Sequence, residues 1–235
     1  MSKFTYRKVL IYLIALFTTS QIALTQGQPP VPVDPFQLRA PGIGLKDQSI
    51  VDGIAALSQS SDVAYSMEFP LGPTISAAAP PVKTVTATIE PGTIREVLDK
   101  LCGLDQTFTW TRIGNTANIV PRAMLDNPGY LLNRRLEILS FKDVSNAQDA
   151  VLEMVGQLPG PREQVAILQS GIPLSFAHPL TATFRNITVR EVFDNIAQQF
   201  GPTYGWQFGG AADFRVITFH QRLAPKPKPS SPSAQ

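Results

Sequence analysis

Apolar residues recur at helical spacing in four places: Ile50, Ile54 and Leu57; Ile94, Val97, Leu98 and Leu101; Val151, Met154, Val155 and Leu158; Val189, Val192, Phe193, Ile196 and Phe200. Each set makes one stripe, which predicts four amphipathic helices that each cover a surface with one face. Ahead of them stand Ser49-x-x-Asp52, Thr93-x-x-Glu96, Ser145-x-x-Gln148 and Thr188-x-x-Glu191. In each, a hydroxyl can take a free first-turn N–H while the residue three later reaches back. Between helices the period changes to two. Val85, Ala87 and Ile89 alternate with Thr84, Thr86 and Thr88, and Leu180, Ala182 and Phe184 repeat the alternation. Leu136, Ile138 and Phe141 predict another strand, as does Val63 to Phe69. Phe108 and Trp110 lead through Gly114-Asn115 to Ile119-Val120, and Tyr204, Trp206 and Phe208 lead through Gly209-Gly210 to Phe214 and Val216. Both read as hairpins, with turn residues suited to positive φ.

The pattern occurs twice. Thr86-Ala-Thr-Ile-Glu-Pro-Gly-Thr-Ile-Arg-Glu-Val-Leu-Asp99 aligns without a gap on Thr181-Ala-Thr-Phe-Arg-Asn-Ile-Thr-Val-Arg-Glu-Val-Phe-Asp194 at an offset of 95, with 8 of 14 positions identical. Leu45-Lys46-Asp47-Gln48-Ser49 resembles Phe141-Lys142-Asp143-Val144-Ser145 at an offset of 96. Two matches at nearly one spacing imply that the span between them is the repeating unit. The expected fold class is α+β: two tandem small modules, 43–123 and 134–222, each roughly β-α-β-β-α-β-β with two helices on one face of a small sheet.

The ends differ in kind. Lys3, Arg7 and Lys8 precede the apolar run Val9 to Phe17, and small or polar residues follow. That order predicts a secretory signal over 1–26, with an uncleaved anchor as the alternative if Ile22-Ala23-Leu24 extends the run. Residues 27–42 hold Pro29, Pro30, Pro32, Pro35 and Pro41 and read as an extended tether, and 223–235 as a stiff Pro/Ser-rich tail.

Composition narrows the function. Apolar residues make up 43% of the 235, enough for a core, while 16% charged residues and 21 prolines suit compact modules with extended connections. Net charge is +2; without the three cations of the leader, 17 basic residues face 18 acidic ones. A nearly neutral mature chain has no global attraction for nucleic acid or anionic lipid. One cysteine, Cys102, excludes an intramolecular disulfide and a cysteine cage for a metal, and its place on an apolar helix face predicts a buried thiol.

The strand, the capped helix bearing Arg-Glu-Val-Leu-Asp and the aromatic hairpin together resemble the secretin and TonB short N-terminal domain. Thr88 to Asp99 stands for that domain's second strand and helix, and Leu45 to Phe69 for its first helix and strand. The second module resembles it more loosely, being longer and richer in Gly and Pro over 156–176. The resemblance implies a periplasmic docking or signalling role, and by analogy modules that can stack into rings as a homo-oligomer. It implies no reactive group.

Candidate chemistry is sparse. His178 and His220 show no ligand spacing with a carboxylate or with Cys102. Ser170-Gly171 and Ser175 make no Gly-x-Ser-x-Gly elbow. Arg95-Glu96 and Arg190-Glu191 read as solvated helix residues and caps, and Trp110 and Trp206 as core aromatics. No catalytic, cofactor-binding or metal residue is assigned and no cofactor is expected. The expectation is a non-enzymatic envelope protein whose partner is a secretion-system or outer-membrane component, with membrane contact only through an uncleaved N-terminal segment. The alternative is a periplasmic enzyme or ligand-binding protein acting on cell-wall or extracellular material, with His178 or His220 as base.

Overall fold

The computed structural model describes residues 33–70, 83–158, 165–167, 175–211 and 214–221. The expected leader, the first part of the expected tether, Ser170-Gly171 and the expected C-terminal tail lie outside the described residues. By its contacts the chain divides at Val33, and Asp34–Gln235 is one unit.

Four helices form where the stripes place them: α1 (Ile50–Gln59), α2 (Ile94–Leu104), α3 (Ala147–Gln157) and α4 (Val189–Gln198). Ser49 and Asp52, Thr93 and Glu96, and Thr188 and Glu191 make reciprocal capping boxes. The third start departs from expectation. Asn146, one residue beyond Ser145, is the N-cap, accepting from the backbone of Asp149, because its amide also donates to the Asp149 carboxylate.

The strands are β1 (Arg39–Ala40), β2 (Ile43–Ser49), β3 (Ala64–Glu68), β4 (Thr84–Ile89), β5 (Gly92–Thr93), β6 (Phe108–Ile113), β7 (Thr116–Pro121), β8 (Arg135–Asn146), β9 (Val165–Ile167), β10 (Ser175–Thr188), β11 (Gly205–Gly210) and β12 (Arg215–His220). The protein is therefore α+β. β2 pairs antiparallel with β4, and β8 with β10. In the first half β6 and β7 form a hairpin and β3 joins β7 in parallel; in the second, β11 and β12 form a hairpin and β9 joins β12 in parallel. A parallel pairing of β3 with β11 unites all six strands in the order β6-β7-β3-β11-β12-β9.

Each half has its own core, drawn from its ribbon, its two helices and its three sheet strands. Fully buried Ile54, Leu98 and Leu101 fill one; Phe193, Trp206 and Phe208 fill the other. Each such side chain contributes roughly 1.5–3 kcal/mol on leaving water. Leu136 and Phe141 point inward on β8, but Ile138 is exposed and Leu139 takes the inner place. Two-stranded ribbons twist strongly, so one side of β8 does not face the core along its whole length.

The tether expectation fails at its C-terminal end. Asp34 caps a turn of 3-10 helix over Pro35–Gln37, and Phe36 is fully buried in the first core. Proline is compatible here because it opens the turn, where no N–H is needed. The same arm recurs at 130–134. Leu131–Asn133 is again 3-10, and the first N–H of α4 bonds the Arg134 carbonyl as that of α2 bonds the Leu38 carbonyl, both at 3.0 Å.

Candidate functional site

The β3–β11 junction buries five ionisable or polar side chains, Ser66, Glu68, Asn118, Arg190 and Asp194, that hydrophobic patterning would leave in solvent. Arg190 on α4 donates Nε to Glu68 Oε1 at 2.5 Å and Nη2 to Oε2 at 3.2 Å, while its Nη1 reaches Asn133 Oδ1 at 2.8 Å. Glu68 is 0% and Arg190 7% exposed. Arg190 is thus not the solvated helix residue its sequence position suggests: strand β3 lies over that side of α4. Burial pushes the Glu68 carboxyl above its ordinary pKa, and Arg190 pulls against this.

One helical turn on, Asp194 accepts from Trp206 Nε1 at 2.8 Å, Asn118 Nδ2 at 3.0 Å and Ser66 Oγ at 3.3 Å. Burial raises its pKa to about 7 despite those three donors. The bonds tie β3 and β7 of the first half to α4 and β11 of the second. Close approach is permitted by Gly205, where a Cβ would fall on the Tyr65 carbonyl.

The counterpart in the first half is open. Arg95, Asp99 and Trp110 hold the places of Arg190, Asp194 and Trp206, and Trp110 Nε1 donates to Asp99 Oδ1 at 2.7 Å. Here Arg95 and Asp99 are exposed and Trp110 half-buried, so Trp206 is core as expected whereas Trp110 rims a groove. Arg95 lies over the Trp110 ring, 5.5 Å from its centroid. Phe36 stacks on Trp110 at 5.7 Å and 11°, and Arg112 covers Phe36 at 4.5 Å while pairing with Asp34 at 2.9 Å. Two stacked aromatic rings thus each carry an arginine. Arg112, with the Phe36 backbone N–H, holds the Asp34 carboxyl below its usual range.

Arg95, Asp99, Trp110 and Arg112, with Cys102 and Arg122, line a groove of about 730 Å³ along β6 and α2, and Thr109 stands on its wall. β6 is an end strand of the sheet. Since Ile113 and Thr116 close a two-residue turn, with Gly114 at φ 56°, alternation turns the N–H and C=O of Trp110 and Arg112 away from β7. The groove therefore offers main-chain bonding groups, an aromatic surface and three arginines against one aspartate.

Of the remaining candidates, Cys102 lines the groove and the others lie elsewhere. Burial holds Cys102 protonated, its pKa pushed up to about 12, so the thiol is no ready nucleophile. His220 on β12 is half-buried with its ring nitrogens shielded from water, which keeps it neutral and lowers its pKa to about 4; His178 and Ser175 are exposed on β10. Among the described residues, no group of three or more His, Cys, Asp or Glu could hold a metal, and no helix is long and apolar enough to cross a membrane. Sequence reasoning missed Asp34, Phe36, Ser66, Glu68 and Asn118. The available signal was the joint recurrence of Arg95/Arg190, Asp99/Asp194 and Trp110/Trp206, more than helix caps or core packing require.

No family model matches the chain, and neither a curated protein nor a solved structure matches it.

Proposed function

We propose that this is an exported, non-enzymatic envelope protein that docks other envelope proteins, in the manner implied by the secretin and TonB short N-terminal domains that its repeat resembles. One observation carries the reading: the groove along β6 and α2 joins exposed arginines to a half-buried tryptophan at an unpaired strand edge. Arginine and tryptophan are enriched at the centres of protein interfaces, where a planar cation and a large ring give much contact for little lost freedom. The docked component belongs to a secretion system or the outer membrane.

A photo-reactive side chain at Thr109, on the groove wall, tests this in the full chain. The expected result is a cross-link to a specific envelope protein that disappears with Arg95→Glu. Retention of a glycan or small molecule, with no protein adduct above control, overturns the docking role.

A further inference from the structure

We propose that the free edge of β6 is completed by an extended acidic segment of the partner protein, which adds as a parallel strand and places a carboxylate on Arg95. The inference rests on the docking reading above and specifies its chemistry.

The second half shows such a site already filled. Its β11, the counterpart of β6, carries β3 in parallel, with Gln207 opposite Met67 and Phe208 opposite Glu68. Three contacts seat that strand. The Glu68 carboxylate takes Arg190 with two guanidinium bonds. Ser66 Oγ donates to Asp194 and accepts the Trp206 backbone N–H at 3.3 Å. The Phe69 N–H donates to the Phe208 carbonyl at 2.8 Å. Every receiving group recurs on the first half: Arg95 for Arg190, Asp99 for Asp194, Trp110 for Trp206 and Arg112 for Phe208. No carboxylate pairs with Arg95 among the described residues, although Arg112 already has Asp34.

The arm at 34–38 does not block the edge. Its counterpart coexists with β3, since Tyr130 packs edge-on against Phe208 at 6.3 Å, as Asp34 sits against Arg112, and Asn133 shares Arg190 with Glu68. The groove thus resembles the filled site in its main-chain edge, helix face and arm, without the strand.

Chemistry then defines the occupant. With Arg112 already held by Asp34, charge complementarity to Arg95 and Arg122 calls for an acidic segment. The internal precedent puts a small hydroxyl residue two positions before the carboxylate, as Ser66 precedes Glu68. A second copy of this chain fits less well: β9, which holds the place of β3 in the second half, is Val165-Ala166-Ile167 and offers no carboxylate. Strand addition supplies affinity through main-chain bonds, and the Arg95 pair supplies specificity.

The test uses the full chain and a fluorescent peptide with the sequence of residues 63–69, flanked by Gly-Ser for solubility. Anisotropy should show binding that weakens at least about tenfold when the peptide glutamate becomes Gln, or when the chain carries Arg95→Glu. Arg95→Glu should regain binding to a peptide with Arg in place of that Glu. Equal affinity across these pairs overturns the proposal, as does concentration-dependent head-to-tail assembly of the chain that Arg95→Glu abolishes. If the peptide fails while the Thr109 cross-link to an envelope protein persists, strand addition is wrong and docking stands. If both fail, both fall.

Discussion

Arg190 on α4 holds the carboxylate of Glu68 on β3 through two guanidinium bonds, 2.5 and 3.2 Å long, across 122 positions of sequence. The pair sits at the junction that turns two small sheets into one. A buried ion pair is a costly way to join surfaces unless both partners are fully engaged. Here Asn133 satisfies a further guanidinium nitrogen, and Ser66, Asn118 and Trp206 surround the neighbouring Asp194. The junction is thus specific as well as buried, since a strand without Ser66 and Glu68 would leave charges unpaired.

Breaking that pair from one side should be expensive. Arg190→Met leaves Glu68 buried without its counter-charge and should cost about 3–5 kcal/mol in urea unfolding. The double variant Glu68→Met, Arg190→Met should recover most of the loss. A single variant within 1 kcal/mol of wild type, by the usual scale of surface changes, would show that the pair is not buried in solution.

Stability should fall as pH rises across the range set by Asp194. Its pKa is raised by burial from 3.8 to about 7, so between those values the folded state holds a proton that the unfolded chain releases. That contribution is fully present below about pH 4 and is lost as pH rises through about 7, a change on the order of 2–4 kcal/mol. Glu68, shifted the same way, adds to the trend. Denaturant midpoints from pH 4 to 8 should decline in wild type, and the slope should flatten in Asp194→Asn.

Gly205→Ala should separate the two halves' sheets. The added Cβ meets the backbone of Tyr65, which cannot yield as a side chain can. Trp206 should then gain solvent access, read as a red-shifted emission in a Trp110→Phe background. Unchanged emission would mean that β3 and β11 do not approach this closely.

Phe36→Ala should cost about 3–5 kcal/mol, the usual figure for emptying a buried aromatic site. It should also free the arm, because Phe36 is the arm's buried ring and stacks on Trp110. Proteolysis near Leu38 should accelerate. An arm that stays protected would contradict the packing.

Asp47 and Asp143 should prove equivalent. Each takes a positive φ, 52° and 55°, and each exchanges two bonds, N–H to hydroxyl and hydroxyl to carboxylate, with Thr86 or Thr181. Replacement by Ala removes the hydroxyl-to-carboxylate bond, leaves the main-chain N–H bond and keeps the strained backbone, so each should cost about 1–2 kcal/mol. Gly should cost less, because it relieves the strain.

Local chemistry was legible in the chain alone. Helix stripes, capping hydroxyls and the Gly114-Asn115 turn act within a few residues, so they show as spacing. The match at an offset of 95 or 96 was legible too, because it is carried by identical letters such as Arg95 and Arg190. Tertiary structure alone decided what those residues meet. Arg95 and Arg190 are one letter in one motif, and Asp99 and Asp194 another, yet one pair faces a groove and the other is buried. The difference is β3, whose Ser66 and Glu68 meet Asp194 and Arg190, whereas beyond β6 no described strand meets Asp99 and Arg95. Burial and charge pairing depend on what lies opposite in space, and no local pattern encodes a partner more than a hundred residues away.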